Sequence, residues 1–185
     1  MASARVIGRP QLDFFQIRDS LVNKYGTKGS NSEKVFSECL GNYTLYFKRA
    51  NEEEARKAVM KIRPCVGIFV LDATKWGNFS AFFHKNPKGI LTKEIIDEQH
   101  YFPKSTAGGH SVVLTHISKD YLMFLNSWGK DFGDNGYFRV KNAKVLGALF
   151  YDIFWYISDL NSEEINYFNK YMENLKKDIN DYVFN

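Results

Sequence analysis

Between Gly108 and Val140 the chain reads GGHSVVLTHISKDYLMFLNSWGKDFGDNGYFRV. Two of these side chains, His110 and Asn126, can do chemistry together. A histidine acts as a base only when its second ring nitrogen is held in place. An asparagine oxygen accepting that N–H orients the ring without adding charge. Trp128 follows closely enough for its indole to cover such a hydrogen bond and keep water from it. Gly108 and Gly109 leave backbone room beside the histidine for an extended peptide. Gly133 and Gly136 suit a turn that starts another strand.

The elements around this stretch must bring His110 and Asn126 together. Ser111 to Ile117, Tyr121 to Leu125 and Gly136 to Val140 read as strands, with SKD as a tight hairpin between the first two. A histidine opening one strand and an asparagine ending the next then meet at one end of the hairpin. Upstream, Cys65 to Asp72 (CVGIFVLD) has the length and apolar run of a buried strand. YTLYFKRA alternates like a strand, and LFYDIFWYI reads as the last one. Asn51 followed by three glutamates is a helix start, with acids at the positive end of the dipole, running to about Ile62. WGNFSAFFHKN suits a short helix or turn, and Lys85 to Ala107 reads mostly as loop. At the N-terminus, Phe14, Ile17, Leu21 and Val22 have helical spacing over Phe14–Tyr25, and a short helix is expected from Asn31 or Ser32 to Cys39. Ile165, Phe168, Met172, Leu175, Ile179 and Tyr182 form a heptad seam, with Asn161 and Ser162 as cap candidates. That seam suits a helix docked on the body, or one serving self-association or a protein partner.

GGHSVVL…FLNSWGKDFGDNGYFRV resembles the C-terminal signature of papain-like cysteine peptidases, and the joint match of rare residue types at this spacing is specific. The preceding NEEEARKAVMKIRPCVGIFV, FSAFF and KGIL resemble that family's helix, proline turn, strand and aromatic segment. The likeness runs from about Asn51 to Tyr156. It implies an α+β fold: the family's right-domain antiparallel β-sheet or barrel with flanking helices, here with an extra C-terminal helix. The division expected is 1–50 as a remnant helical region, 51–157 as the right domain and 158–185 as an amphipathic helix. The resemblance also implies that His110 is the catalytic base, that Asn126 orients it, and that Trp128 and Gly109 support the site. The implied substrate is a peptide or protein, and no cofactor is implied.

The nucleophile is the departure. In this family the cysteine precedes the histidine by ~130–150 residues, and counting back from His110 passes Met1. The family's Cys-Gly-x-Cys-Trp motif and its oxyanion glutamine are absent from the sequence. The two cysteines are poor substitutes. Cys65 enters an apolar strand, and Cys39 falls at a helix end, whereas a reactive thiolate needs an electropositive, partly exposed helix start. Ser111 adjoins His110, so alternation points it to the opposite face, and Ser127 reads as structural. His84, His100 and His116 lack metal-ligand spacing, although His116 lies six residues after His110, where alternation would put both on one face. No metal is expected.

The expectation is therefore a papain-like peptidase domain, truncated ahead of its cysteine and inactive alone. The alternatives are a non-catalytic papain-like module that binds peptides or proteins, and complementation by a second chain that brings the cysteine. Composition agrees with a globular fold: 44% of the 185 residues are hydrophobic and 16% aromatic. The net charge of +4 is scattered along the chain, which argues against nucleic acid. No run approaches the ~18 apolar residues of a membrane span, and no signal peptide is read at the N-terminus. Two cysteines imply no disulfide framework. The chain as written thus reads as cytoplasmic, or lysosomal or extracellular if a segment precedes it. Asn42 (NYT) and Asn78 (NFS) fit the glycosylation pattern, which matters only on the secretory route.

Overall fold

The computed structural model describes residues 46–61, 63, 65–100, 102 and 105–166, together with the single residues 23, 169, 170 and 173. The expected helix over Phe14–Tyr25 (apart from a helical Asn23), the short helix ending at Cys39, and most of the heptad seam lie outside these residues.

Among the described residues, seven strands form one sheet: β1 (Tyr46–Ala50), β2 (Cys65–Leu71), β3 (Ile90–Leu91), β4 (Gly108–Ile117), β5 (Leu122–Leu125), β6 (Tyr137–Val140) and β7 (Leu149–Phe154). Their order is β1-β7-β2-β4-β5-β6-β3. Every pairing is antiparallel except the two-residue β3, which runs parallel to β6. Among the described residues β1 and β3 stay at the edges, so the sheet is open. β1 belongs to this sheet through its pairing with β7, ahead of the boundary expected at residue 51.

Alternation decides the core. Cys65, Phe69 and Leu71 of β2 point the same way as Val112 and Leu114 of β4, Leu122 and Phe124 of β5, and Phe138 and Val140 of β6, and all are buried. Helices cover this face. In α1 (Glu52–Met60), Asn51 accepts the Glu54 N–H at 2.9 Å while Glu54 accepts the Asn51 N–H at 2.9 Å. Such a reciprocal cap stabilises a helix by about 1 kcal/mol. Ala55 and Ala58 then pack inward. Glu52 also accepts the Ala143 N–H at 2.8 Å and Arg56 donates to Ser118 O at 2.8 Å. This ties α1 to the β4–β5 turn and to α4 (Ala143–Leu146).

Two segments differ from expectation. The WGNFSAFFHKN region is a full helix, α2 (Ala73–Lys85), because Asp72 caps it by accepting the Lys75 N–H instead of ending the strand. Phe79 and Phe83, one turn apart, bury its inner face. The stretch expected as loop contains β3 and α3 (Lys93–Ile96), which buries Ile96. Single short turns are below what sequence periodicity resolves.

The tail opens as expected. Asn161 accepts the Glu164 N–H at 2.9 Å and starts helical residues 162–166, with Ile165 half-buried. Among the described residues, no helix is long and apolar enough to cross a membrane.

Candidate active site

The site grows from the β4–β5 hairpin. His110 sits near the start of β4, paired with Phe69 of β2. Asn126 follows the last residue of β5, and its N–H donates to Gly136 O at 2.8 Å. The turn before β6 needs positive φ at Gly133 (+57°) and Gly136 (+89°), and a Cβ at Gly133 would overlap the Tyr137 carbonyl oxygen. That turn therefore seats the backbone on which Asn126 rests.

His110 Nε2 lies 2.7 Å from Asn126 Oδ1. The same oxygen accepts the Ser127 N–H at 2.8 Å. An atom that takes a backbone N–H is the carbonyl oxygen of the amide, so Nε2 must carry the proton it shares with Asn126. In the neutral ring the lone pair is then on Nδ1, which has no partner among the described residues. Asn126 is only 7% exposed, and its Nδ2 is buried without a partner among those residues. Burial pushes the His110 imidazole below its ordinary value of 6.5, while the hydrogen bond it donates to Asn126 pulls it upward.

Aromatic rings enclose the imidazole. Trp128 lies 4.8 Å from it, centroid to centroid, and Phe69 and Trp76 approach edge-on at 5.8 and 5.9 Å. Trp128 remains 45% exposed, so it shields one side of the contact and still meets solvent. Trp76, on α2, was not singled out from sequence. Its Nε1 donates to Gly108 O at 3.0 Å, and its ring lies 5.7 Å from that of Trp128, tilted by 45°. The sequence signal for it was an aromatic residue in a segment read as a short helix or turn.

His110 opens onto a cleft of about 760 Å³ whose lining includes Trp76, Ser80, Phe102, Gly109 and Trp128. A Cβ at Gly109 would stand 3.6 Å from Val70 Cγ2, an ordinary contact. No described residue crowds that glycine, which stays exposed beside His110.

The remaining candidates fall away from this point. Cys65 is fully buried, and desolvation, reinforced by the charge of Asp152, pushes its thiol up to about 12. Cys65 pairs with Leu114 while Phe69 pairs with His110, an offset of four residues, or about 13 Å along the sheet. Cys39 lies outside the described residues. Ser111 is exposed and points away from His110, opposite Ile68. Ser127 serves Asn126 through its backbone.

His116 does not share the face of His110. The register shifts between Leu114 and His116, so Ile117 pairs with buried Leu122 and His116 turns out to solvent. The extra residue of a bulge reverses the alternation that put the two histidines together. His84 is exposed on α2, and His100 Nδ1 contacts Asn78 Oδ1 at 3.1 Å. Among the described residues no three His, Cys, Asp or Glu side chains form a metal-binding group. Asn78 is 5% exposed, and its Nδ2 already donates to Ile96 O and Glu98 O, so the folded chain cannot carry a glycan there. Asn42 lies outside the described residues.

The family model described as papain family cysteine protease matches residues 18–149. The match begins well ahead of Asn51, where the motif likeness starts. No curated protein matches the sequence. Among solved structures, xylellain, a cysteine protease from Xylella fastidiosa, is 18% identical with a TM-score of 0.41, covering 71% of this chain and 47% of that one. The Carica candamarcensis cysteine protease CMS1MS2, in complex with E-64, is 20% identical with a TM-score of 0.37, over 57% of this chain and 47% of its own. The bromelain protease from Ananas comosus, in complex with the E64 inhibitor, is 20% identical with a TM-score of 0.37, over 60% and 50%. The chain spans about half the length of these structures. The motif residues converge on one part-buried contact, and the family model spans most of the sequence; the chain belongs to the papain family of cysteine proteases.

Proposed function

We propose that this chain carries the histidine–asparagine half of a peptide-hydrolysing site, with a cysteine thiolate supplied from outside Cys39 and Cys65. The single observation that carries the reading is the 2.7 Å contact between His110 Nε2 and Asn126 Oδ1. It leaves Nδ1 as the basic atom on a ring that lines the cleft. In the reaction, Nδ1 takes the proton of the cysteine thiol. The thiolate attacks the peptide carbonyl carbon, and the C=O electron pair moves to oxygen. The imidazolium returns its proton to the leaving amine as the C–N bond breaks. Water then cleaves the thioester with His110 again as base. Asn126 holds the ring through both transfers, Trp128 keeps water from the Nε2 hydrogen bond, and Gly109 offers backbone to the substrate. On this reading neither Cys39 nor Cys65 serves as the thiolate, and the chain alone hydrolyses no peptide.

Incubation of the chain with a fluorogenic peptide tests this directly. No turnover is expected. Turnover abolished by an epoxide cysteine trap would overturn the assignment of the nucleophile.

A second reading, a module that binds peptides or proteins without cleaving them, has its own support. The aromatic cleft is formed whether or not a thiol faces it, and burial pushes the Cys65 thiol up to about 12. The coding sequence upstream of Met1 separates the two. An in-frame cysteine-bearing helix supports the peptidase, and a stop codon supports the binding module or a second chain.

A further inference from the structure

We infer that Phe102 sets which peptide side chains the cleft accepts, and that Gly77 and the Asn78–His100 contact hold it in place. The inference rests on the proposed peptide-binding role of the cleft and names a substrate class for it: peptides with a bulky uncharged side chain, above all an aromatic one, beside His110. None of these four residues lies in the GGHS or NSWG motifs.

The Phe102 ring lies directly on the α2 backbone. A Cβ added to Gly77 would fall on the ring carbons Cγ and Cδ2, so only glycine admits the ring at this depth. The next residue, Asn78, uses its whole amide to anchor the segment that leads to Phe102. Its Nδ2 donates to Ile96 O at 3.0 Å and to Glu98 O at 2.7 Å, and its Oδ1 lies 3.1 Å from His100 Nδ1. The His100 ring then meets Phe102 edge-on at 6.0 Å, and Phe102 O accepts the Ser105 N–H at 3.0 Å. A buried, fully engaged amide beside a glycine under an aromatic ring fixes that ring more firmly than a surface loop alone would.

Trp76, Phe102 and Trp128 give the cleft an aromatic lining, and among the described residues no Asp, Glu, Lys or Arg lines it. A charged side chain entering it would lose hydration without gaining a counter-charge from those lining residues. An aromatic side chain would bury its area against rings that favour tilted and edge-on neighbours.

The test is a titration of the 185-residue chain with acetyl-Gly-Phe-Gly-amide and its Ala and Glu counterparts, followed on the indole N–H signals of Trp76 and Trp128. The Phe peptide is expected to bind roughly tenfold tighter than the Ala peptide, and the Glu peptide weakest. F102A should erase the preference for Phe over Ala while leaving the His110 titration unchanged. G77A should do the same by displacing the ring. H100A, at a partly exposed position, should weaken the preference without unfolding the chain. An F102A variant that keeps the tenfold preference overturns the inference and leaves the peptidase reading standing. If no peptide moves either indole signal, the cleft is not a peptide site, and both fall.

Discussion

His110 and Asn126 share one proton across 2.7 Å, and the oxygen that receives it is also held by the Ser127 N–H at 2.8 Å. That second bond makes the first informative. It identifies the amide oxygen, which places the proton on Nε2 and the lone pair on Nδ1. The ring's tautomer is thus set by a backbone bond on the residue after the asparagine.

His110 should titrate below its ordinary value, because burial disfavours the imidazolium more than Asn126 favours it. Its folded value lies below its unfolded one, so between the two the unfolded chain binds more protons. Stability contributed by the neutral ring is full above the unfolded value and is lost as pH falls toward the folded value. NMR titration of the His110 ring protons, with urea unfolding at pH 7 and pH 5, checks both. A folded value at or above 6.5 would contradict the burial argument.

Asn126 variants should move this titration in opposite directions. Asn126→Ala removes the hydrogen bond that favours the charged ring, so His110 should become harder to protonate. Asn126→Asp places a carboxylate against Nε2 and should make protonation easier. Equal shifts of one sign would show that the 2.7 Å contact does not govern the ring.

Cys65 should resist alkylation in the folded chain. Its thiol is buried and pushed up to about 12, so at pH 8 almost none is thiolate. Peptide mapping after iodoacetamide should find Cys65 modified only when denaturant is present. Rapid native labelling would remove the burial reading.

Gly129 and Gly133, both at positive φ, should separate by the space around them. Gly133→Ala drives a Cβ into the Tyr137 carbonyl at φ +57°, whereas Gly129 has positive φ (+91°) with nothing within 4 Å. Gly129→Ala should cost about 1–2 kcal/mol from backbone strain alone. Gly133→Ala should cost clearly more and also shift the Asn126 amide signal. Urea unfolding of both variants compares them.

Arg63 clamps Asp152, a carboxylate only 2% exposed, with bonds of 3.1 Å from Nε and 2.6 Å from Nη2. Arg63→Ala leaves that carboxylate buried and unpaired. The expected loss is about 2–3 kcal/mol, below the figure for a fully buried pair because the guanidinium partly meets water. A change under half a kcal/mol would mean that Asp152 finds another partner.

The order of strands around the site was readable because each strand is a local pattern. CVGIFVL, SVVLTHI and LMFL carry their own periodicity, and the SKD turn between the last two leaves only a hairpin. α1 announced itself through Asn51 and its glutamates. α2 was underestimated because its cap, Asp72, had been read as the end of β2. The helix is held by Phe79 and Phe83 packing on the sheet, an energy no local window contains. His116 was placed wrongly for a related reason. A β-bulge is one residue of register, decided by the partner strand and invisible to alternation within β4.

By itself the sequence determined the pairing of a histidine with an asparagine and the family that the pairing belongs to. Those follow from residue types and spacing along one hairpin. Only the tertiary structure decided which ring nitrogen of His110 holds the proton, which rings surround it, and where Cys65 and His116 end up. Trp76 and Phe102 reach the cleft from segments 34 and 8 residues before His110. Their places depend on a helix packed on a sheet and a ring laid on Gly77, contacts between elements that no single stretch of chain encodes.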